Sequence, residues 1–181
     1  MKSIVIGGVP ATGKTTLMRF FLDSYSGRRP VKHGLVYGYL LQGNVLVVGK
    51  YEQDQVFAGT DRLSMAVQPD FDIVLEARRY NLMFEGDRLF IEKNLQKLCE
   101  EYDTRIIMLS SSENELLKRH VNRADGQSET FLKSRQTKIA NIMKNDVIKS
   151  HTETYELQTI AQATALSQDM KLWIMGKDGK G

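Results

Sequence analysis

The sequence predicts a three-layer α/β/α fold, in which helices cover both faces of a mainly parallel β-sheet. Short apolar runs typical of buried strands alternate along the chain with segments of helical periodicity. A glycine-rich segment joins the first apolar run directly to the first helical segment. The chain has 181 residues, of which 41% are hydrophobic and 26% charged, as in an ordinary globular protein. We therefore expect a single domain over 1–181.

The first part of the chain contains the predicted start of the sheet and an inserted hairpin. The apolar run 4–6 predicts a buried strand, and 15–22 predicts a helix with an apolar stripe. A loop at 24–30 is expected from its composition. Residues 35–41 and 45–49 flank a Gln-Gly-Asn turn, a pattern that predicts a β-hairpin. This hairpin departs from plain β-α-β alternation.

The remaining elements follow from the same patterns of periodicity and turn residues. In the middle of the chain we expect a loop at 57–60, two helices separated near Pro69, a strand at 81–87, a helix at 88–102 and a strand at 104–110. In the last part we expect helices at 113–124, 130–144 and 156–169, a short strand at 172–175, and a tail.

The segment GGVPATGKTT, residues 7–16, fits the phosphate-loop pattern G-x-x-x-x-G-K-[ST]. A strand before it and a helix after it form the required setting, because backbone N–H groups and the helix N-terminus attract phosphate. Lys14 can bridge the β- and γ-phosphate oxygens, and Thr15 can offer its hydroxyl to Mg²⁺. We expect ATP and Mg²⁺ as cofactors. The predicted nucleotide-binding residues of the loop are Gly8, Val9, Pro10, Ala11, Thr12, Gly13, Lys14, Thr15 and Thr16.

Two acidic residues, Glu85 and Asp87, stand at the end of the predicted strand LMFEGD. Magnesium bound to nucleotide phosphates is held by carboxylates directly or through water, so both residues are candidate metal ligands. Alternation along an extended chain places the two side chains on one side. The alternative for Asp87 is that it caps a helix starting at Arg88.

The cluster Gly-Thr-Asp-Arg at 59–62 is the second candidate for chemistry. Phosphoryl transfer to an alcohol needs a carboxylate that accepts the hydroxyl proton and a cation that positions the acceptor. Asp61 and Arg62 are the candidate pair, with Lys14 as the third catalytic residue. In the alternative, Thr60 or Asp61 caps a helix and Arg62 is solvated. Glu85 and Asp87 remain alternatives for the general base.

A basic segment follows the last predicted core strand. Between 105 and 149 there are nine Lys and Arg against five Asp and Glu, a net charge of +4. Arg119 and Arg123 stand four apart on one predicted helix face, and Arg135 follows a polar break. Two basic helices predict a lid over about 113–146 that closes on polyphosphate, in which Arg119 and Arg123 bind the nucleotide. The alternative is a solvated helix pair.

Several classes of protein are disfavoured. His33, His120, His151 and Cys99 show no metal-ligand spacing, and no apolar run approaches the length of a membrane span. The chain begins with a strand rather than a signal peptide, so we expect a cytoplasmic location and no membrane partner. A guanine-reading Asn-Lys-x-Asp motif is missing, which disfavours a switch GTPase. A small kinase remains the leading class.

The phosphate loop, the acidic strand end and the basic helices together resemble the phosphate-loop kinases of the polynucleotide and nucleoside kinase group. In that group an Asp followed closely by Arg activates the acceptor hydroxyl, and Asp61-Arg62 is the nearest match. More narrowly, GTDRLSMAVQP and LMFEGDRLF are similar to phage-encoded kinases that phosphorylate 5-hydroxymethyluracil bases within DNA. The triplet Glu-Gly-Asp at 85–87, in place of the Asp-Thr-Asn of polynucleotide kinases, argues against a 5′-end kinase.

The resemblance implies that ATP phosphorylates the hydroxymethyl group of 5-hydroxymethyluracil in phage DNA, in the host cytoplasm. Three tyrosines near the hairpin, Tyr37, Tyr39 and Tyr51, are candidates for stacking on a base; the alternative is that they pack in the core or on the surface. A deoxynucleoside or deoxynucleoside monophosphate kinase is the alternative enzyme, and a non-nucleotide small molecule is a further competing acceptor. A nucleotide-gated binding protein is the non-enzymatic alternative.

Overall fold

The computed structural model describes residues 1–52, 58–112 and 128–177. Within these ranges seven strands form one sheet. The strands are β1 (Lys2–Gly7), β2 (Arg29–His33), β3 (Val36–Leu41), β4 (Val45–Val48), β5 (Asn81–Glu85), β6 (Asp103–Ser110) and β7 (Thr152–Glu156). Their order in the sheet is β2-β3-β4-β5-β1-β6-β7.

The five strands from β4 to β7 in this order are all parallel. The hairpin of β2, β3 and β4 is antiparallel and extends the sheet at one edge. Strand β1 lies at the centre, between β5 and β6. All the parallel strands therefore end at one edge of the sheet, where the segments that follow them meet.

Helices cover both faces of the sheet. The described helices are α1 (Lys14–Asp23), α2 (Gln68–Ala77), α3 (Glu92–Glu101), α4 (Glu129–Ile142), α5 (Asp146–Ser150) and α6 (Ile160–Ile174). None of the helices in the described ranges is long and apolar enough to cross a bilayer.

Strand β1 shows how the sheet is sandwiched. Successive side chains of a strand point to opposite faces, so Val5 packs in one buried cluster with side chains of α2 and α3. Its neighbours Ile4 and Ile6 pack in the other cluster, with side chains of α1 and α6. All three β1 side chains are fully buried. The predicted three-layer α/β/α fold with a parallel core and an inserted hairpin is confirmed.

Two predicted elements in the middle and last parts of the chain are wrong, and a third begins later than expected. The helix expected before Pro69 is only a 3₁₀ turn at Thr60–Arg62. The helix expected from 88 begins at Glu92. The strand expected at 172–175 is instead the end of α6, whose buried residues Leu166, Met170 and Ile174 recur every four residues along one helix face.

Two strands were not predicted from the sequence. Strand β2 falls partly in the expected loop at 24–30, and β7 lies just before and into the expected helix at 156–169. That helix starts later, at Ile160, because Thr159 and Gln162 form a capping box. Both strands lie at edges of the sheet, where side chains stay exposed and the apolar pattern is weak. The predicted helix at 113–124 lies outside the described residues.

Candidate active site

The phosphate loop connects the end of β1 to the start of α1. Its N-terminal glycine, Gly8, has φ +138°, and a Cβ there would lie 2.5 Å from the backbone oxygen of Leu109. A larger residue would therefore push the loop away from β6. The loop reaches α1 through Gly13, so the first backbone N–H groups of the helix face the space that the loop encloses.

Lys14 folds back over this loop. Its ammonium group donates hydrogen bonds to the backbone oxygens of Gly8 and Val9, at 2.8 and 3.0 Å. The hydroxyl of Thr12 donates to the same Val9 oxygen at 2.9 Å. The only lysine of the motif is thus held at the mouth of the loop, where it can contact phosphate oxygens.

Thr15 and Glu85 lie together beside the loop. Glu85 is the last residue of β5, and its backbone pairs with Ile6 of β1. The Thr15 hydroxyl donates to Glu85 Oε1 at 3.1 Å. One hydroxyl and one carboxylate suit Mg²⁺, which keeps several waters and takes its other ligands from nucleotide phosphates. The described residues hold no ready cluster of three or more His, Cys, Asp or Glu.

Glu85 is a buried acid. Only 2% of its surface is exposed. Loss of solvation raises the pKa of its carboxyl group from 4.5 to about 7, although Lys14 nearby favours the charged form. The carboxylates of Asp61 and Asp87 raise the pKa of Glu85 further. A positive ion in this site would relieve that concentration of negative charge.

The 3₁₀ turn at Thr60–Arg62 packs directly on the end of β5. The Thr60 hydroxyl donates to the backbone oxygen of Glu85 at 3.0 Å. The preceding Gly59 has φ +76°, and a Cβ there would lie 2.5 Å from Glu85 Oε1. The turn can approach the Glu85 side chain this closely only because Gly59 lacks a side chain. It places Asp61 beside the metal-ligand candidates.

Asp61 is held in place by Arg88. The Arg88 backbone N–H donates to Asp61 Oδ1 at 2.9 Å, and its guanidinium donates to the Asp61 backbone oxygen at 3.1 Å. Asp61 is nevertheless exposed to solvent. The surrounding protein still desolvates the carboxylate and raises its pKa, although the Arg88 N–H favours the charged form. Arg88 was not singled out from the sequence.

Arg62 points toward another partner. Its guanidinium forms an ion pair with Glu52 at 2.6 Å, and it is adjacent to Asp61 only along the chain. The 3₁₀ turn has no side-chain cap, so neither Thr60 nor Asp61 acts as the helix cap that was the alternative.

Asp87 connects the site to α4. It forms an ion pair with Arg135 at 2.9 Å, and Lys138 lies 3.9 Å away. Lys138 also donates to the Asp87 backbone oxygen at 2.8 Å. The capping alternative for Asp87 is wrong, because α3 begins at Glu92 rather than at Arg88. Its role as a metal ligand stays a prediction.

The predicted basic lid is only partly described. Arg119 and Arg123 lie outside the described residues. Arg135 and Lys138, on α4, reach the site through Asp87. Arg105 points elsewhere and forms ion pairs with Glu153 and Asp169. Three cations of the basic segment are therefore engaged by carboxylates.

A groove of about 330 Å³ opens beside the phosphate loop and was not predicted from the sequence. Thr12, Gly13 and Thr16 form one wall, and the segment after β7 forms the other. No pattern in that segment indicates a binding site, because the groove exists only once β7 and α6 are in place. The lining residues are Ala11, Thr12, Gly13, Thr16, Phe20, Leu157, Gln158, Thr159, Ile160 and Ala163.

The predicted stacking by tyrosines is wrong for two of the three. Tyr39 and Tyr51 are 8% and 3% exposed and pack in the core. Burial of the Tyr51 hydroxyl raises the pKa of this phenol, and the negative charge of the nearby Glu85 raises it further. Tyr37 is partly exposed and contacts Tyr39 edge to face.

Comparison with solved structures shows a structural likeness to a kinase. No family model matches the chain, and no curated protein matches it. A solved structure of shikimate kinase from Acinetobacter baumannii in complex with shikimate aligns over 99% of this chain and 95% of that chain. The two sequences are 14% identical, and the TM-score is 0.46. A likeness at this level identifies neither a family nor a substrate.

Proposed function

We propose that the protein is an ATP-dependent kinase that transfers the γ-phosphate to a hydroxyl acceptor. The observation that carries the proposal is the contact of Thr15 with Glu85 at 3.1 Å, beside the phosphate loop. Asp61 is held next to this pair. A phosphate site, a candidate metal-ligand pair and a carboxylate that can accept a proton are the parts that phosphoryl transfer to an alcohol requires.

Each residue has a distinct task in this proposal. The loop N–H groups and Lys14 would bind the triphosphate, and Thr15 and Glu85 would hold Mg²⁺, which would supply positive charge to the phosphates. Asp61 accepts the proton of the acceptor hydroxyl. At the same time the hydroxyl oxygen bonds to the γ-phosphorus, and the bond between the γ-phosphorus and ADP breaks. Partial desolvation by the surrounding protein raises the pKa of the Asp61 carboxylate, which makes it a better proton acceptor.

The groove beside the loop suits the nucleoside part of ATP. It is continuous with the loop through Gly13 and Thr16, and Phe20, Leu157 and Ile160 contribute apolar surface. Apolar walls with a few polar groups are usual for such a ligand. We place the base and ribose there, which leaves the Asp61 side of the loop for the acceptor.

For the acceptor we propose the hydroxymethyl group of 5-hydroxymethyluracil in DNA. The support is the resemblance of the segments around Asp61 and Glu85 to phage kinases with that substrate, together with the partial exposure of Asp61 to solvent. A hydroxymethyl group at the 5-position stands in the major groove, where the thymine methyl would be. The free deoxynucleotide is the competing acceptor.

The test compares three acceptors with γ-labelled ATP. The proposal predicts labelling of DNA that contains 5-hydroxymethyluracil and no labelling of thymine DNA of the same sequence. Hydroxymethyl deoxyuridine monophosphate is the third acceptor. Efficient labelling of this monomer with none of the polymer would reject DNA and leave a mononucleotide kinase.

A further inference from the structure

A cationic surface with one aromatic ring lies on the hairpin next to the candidate active site. We define the hairpin surface as Arg28, Lys32, Tyr37 and Lys50. Lys32 and Tyr37 are directly paired across β2 and β3, so their side chains share one face. The Lys50 ammonium lies 5.7 Å from the centre of the Tyr37 ring. Arg28 lies over the neighbouring Tyr39 ring at 5.2 Å.

The charges of the hairpin surface are available to a ligand. Arg28 and Lys32 are exposed, and Lys50 is partly exposed. Within the described ranges no ion pair engages any of the three. The nearby acid, Glu52, is paired with Arg62 at 2.6 Å. By contrast, Arg135 and Lys138 of the basic segment face Asp87.

The hairpin surface is continuous with the acceptor side of the site. Lys50 follows β4 and pairs with Gly59, two residues before Asp61. The Gly49 N–H donates to the Tyr37 backbone oxygen at 2.8 Å, so β3 reaches the same edge of the sheet. Neighbouring strands are about 4.8 Å apart. Three such steps separate β2 from β5, a path of roughly 14 Å.

We propose that a DNA strand lies along the hairpin surface, with its phosphates beside Arg28, Lys32 and Lys50 and one base against Tyr37. An aromatic ring among cations is the usual arrangement for binding single-stranded nucleic acid. The inference rests on the proposed function and makes the acceptor a polymer.

The test measures binding of a single-stranded oligonucleotide containing 5-hydroxymethyluracil over a range of NaCl concentrations. Each phosphate contact contributes about −0.7 to the log–log salt slope for single strands. Lys32→Ala/Lys50→Ala should therefore make the slope shallower by about 1.4. The matched control is Lys144→Ala/Lys149→Ala, which removes the same charge from the α4–α5 side and should leave the slope unchanged. An unchanged slope in the hairpin variant, or a change only in the control, would overturn the proposal.

A second pair of variants tests the ring. Tyr37→Leu keeps apolar volume against the core but removes the stacking face, and should weaken binding roughly 5- to 150-fold. Tyr37→Phe should bind like the wild type. Equal losses in both variants, or none in Tyr37→Leu, would refute the stacking contact.

The outcomes separate this inference from the proposed function. Salt-dependent DNA binding without phosphate transfer would leave the hairpin surface standing and reject the kinase. Phosphate transfer to a free nucleotide without DNA binding would support the kinase and reject the hairpin surface as a DNA-binding site. ATP affinity should be equal in all the hairpin variants, because none of the substituted residues contacts the phosphate loop or the groove beside it.

Discussion

The buried carboxyl group of Glu85 makes the stability of the ligand-free protein depend on pH. Its pKa of about 7 lies above the ordinary value of 4.5 because burial penalises the charged form. Below pH 4.5 the group is protonated in both the folded and unfolded states. As pH rises from 4.5 to 7, the unfolded state loses its proton first, so stability falls. A tenfold change in proton affinity corresponds to about 1.4 kcal/mol. A pKa of about 7 instead of 4.5 therefore lowers the free energy of unfolding by about 3 kcal/mol over the whole titration.

Glu85→Gln removes this titration while keeping the shape of the side chain. The free energy of unfolding, measured in urea without Mg²⁺ at pH 5 and at pH 8, should fall by about 2.5 kcal/mol more in the wild type than in Glu85→Gln. The control Glu100→Gln changes an exposed acid on α3 and should follow the wild type. Mg²⁺ with ATP should recover stability at pH 8 in the wild type but much less in Glu85→Gln. Parallel pH profiles for the wild type and Glu85→Gln would refute the reasoning.

Three further predictions concern the loop and the turn beside it. Lys14→Ala should lower the rate of phosphate transfer about 10²- to 10³-fold in a steady-state assay, because it removes a fixed cation at the triphosphate; wild-type turnover would reject the loop as the working site. Asp61→Asn should lower kcat about 10²- to 10⁴-fold with ATP affinity nearly intact; a loss of thermal stability alone would make Asp61 structural. Gly59→Ala should lower the unfolding free energy by more than about 2 kcal/mol, since φ is +76° and the added Cβ would lie 2.5 Å from Glu85 Oε1. Gly27→Ala, where a Cβ meets nothing within 4 Å, is its control and should change stability by less than about 0.5 kcal/mol.

The elements that the sequence predicts well are those with strong local patterns. Strand β1 and helix α1 flank a glycine motif whose spacing is specific, and the hairpin of β3 and β4 has a recognisable turn. Strands β2 and β7 lack such a pattern because they lie at sheet edges with exposed polar side chains. The run 172–175 looks like a strand by itself, and only its continuation of the α6 apolar face shows that it is helical.

The arrangement of the site depends on contacts between distant segments. Asp61 and Glu85 were separate candidates in the sequence, and Gly59 brings them together by allowing the turn to pack on β5. The hydrogen bond from the Arg88 N–H to Asp61 depends on the same packing of the turn on β5. The net charge of a segment is also a poor guide to which cations can bind a ligand. Arg105 counts toward the basic segment at 105–149, but it forms ion pairs with Glu153 and Asp169. Such pairings carry no signal in a single sequence.

The most direct test of the proposed kinase activity is transfer of label from γ-labelled ATP to a panel of acceptors. The panel consists of nucleosides, nucleotides, oligonucleotides with free 5′-ends, and DNA containing 5-hydroxymethyluracil. We predict that the wild type labels at least the hydroxymethyluracil DNA in the presence of Mg²⁺, and that Lys14→Ala and Asp61→Asn do so far more slowly. Stoichiometric binding of ATP with no labelled acceptor in the whole panel would contradict the account and favour a nucleotide-gated binding protein.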